Sequence, residues 1–127
     1  MSSETTAGVK VEVRSTYIPE ESMPENFYYF FAYTVQITNL RTEPVQLLAR
    51  HWIITDGQGR VQEVKGEGVV GEQPTIEPGH TFEYSSFCPL QTTTGLMKGS
   101  YSMIDSRGQN FEVLIPEFFL VEPGSYN

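Results

Sequence analysis

The chain has 127 residues carrying 8 basic and 16 acidic side chains, a formal net charge of -8, which fits one domain that can bury a core without staples. That charge repels phosphate backbones and argues against nucleic acid as a partner. The single cysteine, Cys88, excludes an internal disulfide or a cysteine-rich zinc site. No apolar leader is visible in residues 1–8 and no apolar run reaches the length of a membrane span, so a cytoplasmic protein without membrane association is expected.

In chain order, Met1 to Gly8 is small and polar and reads as a disordered tail, with a single domain over residues 9–127. Val9, Val11 and Val13 alternate with Lys10, Glu12 and Arg14, the pattern of a half-buried strand with a charged outer face. Ile18 to Asn26, with two prolines and several acidic side chains, has loop chemistry. Phe27 to Ile37 is the strongest strand. Phe27, Tyr29, Phe31, Tyr33, Val35 and Ile37 line one face, and Tyr28, Phe30, Ala32, Thr34 and Gln36 the other. Val45 to Asp56 follows as a second long strand, with Leu48, Arg50, Trp52 and Ile54 on one face. Asp56-Gly57-Gln58-Gly59 is its hairpin turn, and Arg60 to Lys65 the return strand. Gly66 to Gly79 is the longest irregular stretch. Strands follow at Thr81–Cys88, Gly99–Asp105 and Asn110–Val121, and Pro116 inside the last demands a bulge or an edge position. Seven strands and no helical periodicity indicate an antiparallel β-sandwich. Gly99 two residues before Tyr101 fits a tyrosine corner, and with no disulfide available the expected relative is the fibronectin type III-like sandwich.

Several patterns invite a chemical reading. Gly66-x-Gly68-x-x-Gly71 has the spacing of a phosphate-binding loop, but Val69, Val70 and Pro74 make a poor helix start, so the dipole that would hold a pyrophosphate is missing. Gly66, Gly68 and Gly71 are expected to serve a bulged loop packed across the sandwich; the alternative is a backbone nest that binds a phosphorylated small ligand. His51 and His80 lie in different segments without metal-ligand spacing. Glu20, Glu21, Glu25, Asp56 and Asp105 are carboxylates that loop or turn chemistry explains, so no metal site and no cofactor is expected. Cys88, without a triad context, reads as a small buried apolar residue, and no catalytic residue is assigned. The aromatic density of Phe27 to Tyr33 exceeds what one sandwich face requires. Tyr28 and Phe30 are therefore the candidate partner-binding residues, for another protein or a second copy of the chain.

At Leu48-Ala49-Arg50-His51-Trp52 the sequence resembles the ApaG family, and the likeness continues through Ile54-Thr55-Asp56, the segment Gly66 to Pro74, Pro78-Gly79, Tyr84, Gly95 to Met103 and Ile115-Pro116-Glu117-Phe118, with Phe31-Ala32-Tyr33 upstream. It spans almost the whole chain from Val9. The resemblance implies a fibronectin type III-like sandwich and a small stand-alone bacterial protein of a family without an established reaction. Members are linked by phenotype to cobalt resistance and magnesium efflux and by gene neighbourhood to a diadenosine tetraphosphatase, and related domains sit in eukaryotic F-box and polymerase-interacting proteins. The expected function is a non-enzymatic protein-binding module. The alternative is a sensor of a nucleotide, pyrophosphate or divalent cation at the Gly66–Gly71 loop; nucleotide hydrolysis draws support from gene neighbourhood alone.

Overall fold

Alternation of apolar and polar side chains runs through nearly every segment of the computed structural model, which describes residues 1–126. Among the described residues nine strands form: β1 (Ser2–Thr6), β2 (Val9–Tyr17), β3 (Tyr29–Asn39), β4 (Val45–Asp56), β5 (Val61–Glu67), β6 (Thr75–Ile76), β7 (Thr81–Leu90), β8 (Thr94–Asp105) and β9 (Asn110–Val121). Single 3-10 turns occupy Pro19–Glu21, Pro24–Asn26 and Pro123–Tyr126. All pairings are antiparallel. One sheet has the order β1-β2-β3-β7 and the other β5-β4-β8-β9, with β6 added to β4. This is the fibronectin type III-like sandwich that the strand pattern predicts. Among the described residues no helix is long and apolar enough to cross a membrane.

Two strands were not legible in the sequence. Residues 2–6, expected to be disordered, pair with β2 from Ser2↔Val13 to Thr6↔Val9. Their side chains are polar and largely exposed, so no burial periodicity marks them. The connecting Ala7 and Gly8 both take positive φ (50° and 79°), the backbone that a two-residue hairpin needs. Strand β6 is only two residues long and leaves no period to read. Phe27 departs from expectation in the other direction. It lies outside β3, in the left-handed region at φ 54°, and is exposed rather than facing the core.

The inner faces meet in an apolar layer of Val9, Val11, Val13, Phe31, Val35, Ile37, Leu47, Met97, Met103 and Leu120, all essentially inaccessible to water. Burying each such side chain favours folding by roughly 1.5–3 kcal/mol. At its centre the ring of Trp52 meets those of Tyr33 and Phe118 edge-on, at 5.4 and 5.9 Å. Two bulges keep this layer continuous. In β4 the register shifts between Leu47 and Ala49. Val45 and Leu47 therefore face inward before the bulge, and Arg50, Trp52 and Ile54 after it, leaving Leu48 out of the core where strict alternation had placed it. In β9, Pro116 lies within the shift opposite Met97 and Gly99, and β9 is also the edge of its sheet, so both roles open to that proline are met.

The tyrosine-corner reading does not survive. Gly99 lies inside β8 rather than in a turn, and the Tyr101 hydroxyl bonds the hydroxyl of Tyr84. What Gly99 supplies is clearance: a Cβ there would stand 2.1 Å from the carbonyl oxygen of His51, closer than any carbon tolerates. The two long hairpins share one turn design. The Oδ1 of Asp56 accepts the amides of Gln58 and Arg60, and that of Asp105 the amides of Arg107 and Gln109.

Two outcomes follow. Gly99→Ala should lower unfolding stability by about 3 kcal/mol, since backbone must move to admit the methyl; an unchanged urea midpoint would refute the clearance argument. The carboxyl of Asp105 is held below its ordinary value of 3.8, first by the Gln109 amide and then by the Arg107 amide and the guanidinium groups of Arg107 and Arg41, which together outweigh desolvation. A depressed folded-state value means stability that is present above the ordinary value and lost as pH falls through the folded one. Asp105→Asn keeps the accepting oxygen but not the charge, so urea unfolding of that variant should vary less with pH below about 4 than that of the parent.

Candidate functional site

Outward-facing residues of β3 and β7 divide the surface of the first sheet in two. At one end polar pairs cross the strands: Thr34 with Ser85, Gln36 with Glu83 and Thr38 with Thr81, at 2.8–2.9 Å. At the other end the same face turns aromatic. The ring of Phe30 lies 6.2 Å from that of Tyr28 and 5.2 Å from that of Phe87. Tyr28 is 39% exposed, Phe87 61%, and the neighbouring Met23 and Phe27 48% and 69%. Backbone bonds between Met23 and Tyr28, 2.8 and 3.1 Å long, fold the loop back on itself and present Phe27 at its tip. A positive φ is rare and costly for a bulky aromatic residue. Tyr28 also borders a recess of about 450 Å³ whose opposite wall includes Val61 and Arg60 of the β4–β5 hairpin. Tyr28 and Phe30 thus lie together as predicted from the sequence. Phe87 is the member that sequence reading missed, and its signal was an aromatic residue at an outward position of an otherwise polar alternation.

The glycine segment is not a single loop. Gly66 is part of β5 and pairs with Arg50; a side chain there would collide with the Arg50 guanidinium at 2.7 Å. The amide of Gly68 donates to the carbonyl of Leu48 at 2.8 Å, and the side-chain amide of Gln73 donates to the same oxygen at 2.9 Å. Val69 and Glu72 exchange two backbone bonds of 2.8 and 3.0 Å, closing a two-residue turn in which Val70 and Gly71 have φ of 48° and 79°. Each glycine therefore answers a local demand: contact with a guanidinium at Gly66, positive φ at Gly68 and Gly71. No helix follows them. Glu67 is held through its carbonyl, which accepts from Arg50 Nη1 at 3.0 Å.

His51 Nε2 lies 2.6 Å from Glu63 Oε1 across β4 and β5, and His80 sits in the turn before β7. Asp56 has a lowered pKa: burial alone would raise it, but bonds from the backbone and guanidinium of Arg60 and from the Gln58 amide outweigh that. Among the described residues no three His, Cys, Asp or Glu side chains converge on a point. Cys88 is buried, and desolvation pushes its thiol up to about 11. Burial likewise raises Tyr33, Tyr84 and Tyr101.

Comparison with known proteins agrees with this architecture. Residues 19–105 match the profile of the ApaG domain. Protein ApaG of Bordetella pertussis is 55% identical over 113 residues, covering 89% of this chain and 86% of that protein. Protein ApaG of Anaeromyxobacter dehalogenans is 50% identical over 127 residues, the whole of both chains. A crystal structure described as the putative ApaA protein from Bordetella pertussis superposes with a TM-score of 0.88 at 52% identity, covering 96% of each chain.

A thiol that is both inaccessible and protonated at neutral pH should not react. Ellman's reagent at pH 8 is expected to leave Cys88 unmodified in the native protein over hours and to label it fully in denaturant; prompt native labelling would contradict the burial.

Proposed function

The chain belongs to the ApaG family, and from that premise we propose that it is a non-enzymatic binding module that engages a protein partner through the aromatic end of its first sheet. One observation carries the reading. Half-buried Phe30 holds the exposed rings of Tyr28 and Phe87, with Met23 and Phe27 exposed in the adjoining loop, on a face whose other half is finished with hydrogen-bonded polar pairs. Exposed apolar groups of this kind mark association sites, and aromatic side chains are the anchors around which interfaces concentrate their energy. The strained backbone at Phe27 supports the same view, because strain is retained where a displayed side chain has a use. The adjoining recess between Tyr28 and the β4–β5 hairpin would take an anchoring side chain of the partner, and Asp56 and Arg60 at its wall would supply polar selectivity. In this reading the family's connection with cobalt resistance and magnesium efflux runs through the partner.

A photo-crosslinking side chain at position 87 should capture a defined protein, or a second copy of the chain, in cells, whereas the same group at Gln36 on the polar half should not. Tyr28→Ala and Phe87→Ala should each weaken the captured interaction by about 2 kcal/mol while shifting folding stability by less than about 1 kcal/mol. Equal capture at both positions, or full binding by both variants, would sink the assignment.

A further inference from the structure

Arg50 follows the β4 bulge and so points into the slit between the two sheets, beside Trp52. Its Nη1 donates to the carbonyls of Glu67 and Gly68 at 3.0 and 2.9 Å, and the guanidinium lies against Gly66, where a Cβ would meet it at 2.7 Å. Arg41, Arg60 and Arg107 each meet a carboxylate. Arg50, half-buried in a chain with 16 acidic residues, forms no ion pair among the described residues. Two carbonyls satisfy one end of its five-donor fork; Nε and Nη2 have no partner among the described hydrogen bonds.

Arg50 lines a recess of about 310 Å³ together with Tyr33, Tyr84 and Ser86 from the opposite sheet. Tyr33 and Ser86 are directly paired across β3 and β7. Tyr101, fully buried, bonds Tyr84 through the two hydroxyls. A phenol so enclosed satisfies its proton by donating it to Tyr84, which leaves the Tyr84 O–H free for a partner in the recess that Tyr84 lines. A cation that forms no ion pair among the described residues and hydroxyl-bearing side chains from two strands of the facing sheet line it together. That arrangement suits the tetrahedral oxygens of a phosphoryl group better than a planar carboxylate.

We propose that this recess, behind the Val70-Gly71 turn, binds a small phosphoryl oxyanion, inorganic phosphate or pyrophosphate, held by Arg50 with the hydroxyls of Tyr84, Ser86 and Tyr33. The volume lies at the lower limit of ligand pockets and Glu67 is among the residues that line it, so a whole nucleotide fits worse than the inorganic anion. The site differs from the backbone nest that the glycine spacing suggested. The anion is held by side chains, and the glycines shape the wall. It stands independently of the aromatic surface on the first sheet.

Proton–nitrogen NMR titrations with sodium pyrophosphate, sodium phosphate and ATP, each against sodium chloride at matched ionic strength, test it. Saturable shifts are expected at the Arg50 Nε–H and the amides of Gly71 and Ser86, with pyrophosphate and phosphate ahead of ATP. Arg50→Lys, which keeps the charge but loses the fork, should weaken binding at least about tenfold. Ser86→Ala, with its fold checked by an otherwise unchanged spectrum, should weaken it about fivefold, and decides the matter alone if the arginine variant does not fold. Shifts no different from those with chloride, affinities unchanged in Ser86→Ala, or ATP binding more tightly than pyrophosphate would overturn the assignment.

Discussion

One inserted residue, Leu48, sets much of the structure. A strand of strict period 2 starting from Val45 and Leu47 would turn Trp52 and Ile54 to the solvent. The bulge at Leu48 resets the phase, so that both halves of β4 contribute to one core. It also turns the Leu48 carbonyl out of the ladder, where the Gly68 amide and the Gln73 side chain take it up. The irregular segment after β5 is thereby fastened to the strand it crosses. The same phase change carries Arg50 inward, where its guanidinium braces the first turn of that segment. Core, loop and inward cation are thus consequences of a single local irregularity.

Much of this was legible in the sequence, and the failures are instructive. The valines of β2, the aromatic run of β3 and the hairpin aspartates all act as their residue types predict, because burial period and turn chemistry are local properties. Leu48 was misplaced because a bulge leaves no mark in composition. β1 was missed because its stability comes from pairing with an edge rather than from burial. Gly99 was assigned to a corner when its role is to admit a carbonyl from the neighbouring strand, a contact far away in sequence. Gly66, Gly68 and Gly71 each meet a local demand, contact with the Arg50 guanidinium at the first and positive φ at the other two. Of the candidate partner surface, Tyr28 and Phe30 were readable from their own strand; Phe87 joins them only through the register of β3 with β7.

Polar interactions at the opposite end show how the sandwich is tied. The buried side chain of Asn39 donates to the carbonyls of Glu43 and Ile76 and accepts from the Arg41 amide. It joins the β3–β4 turn to β6. Arg41 continues the link by meeting Glu43 and Asp105, donating to Ala7 and lying over the ring of Phe111 at 4.7 Å. A buried amide with three partners fixes geometry more than it adds energy. This end is thereby cross-linked by polar contacts, while the aromatic end carries the open surface.

The pairing of β1 with β2 has a consequence for anyone handling the protein. With residues 2–6 in place, the β2 edge is covered, and β9 is stitched to the same side through Thr6 and Ser15. Were that polar strip pulled away by a fused tag or trimmed, a nine-residue edge with Val9, Val11 and Val13 would stand uncovered. An uncovered strand edge of that length is a template for pairing between molecules. The least hydrophobic strand in the sandwich is thus its guard against aggregation.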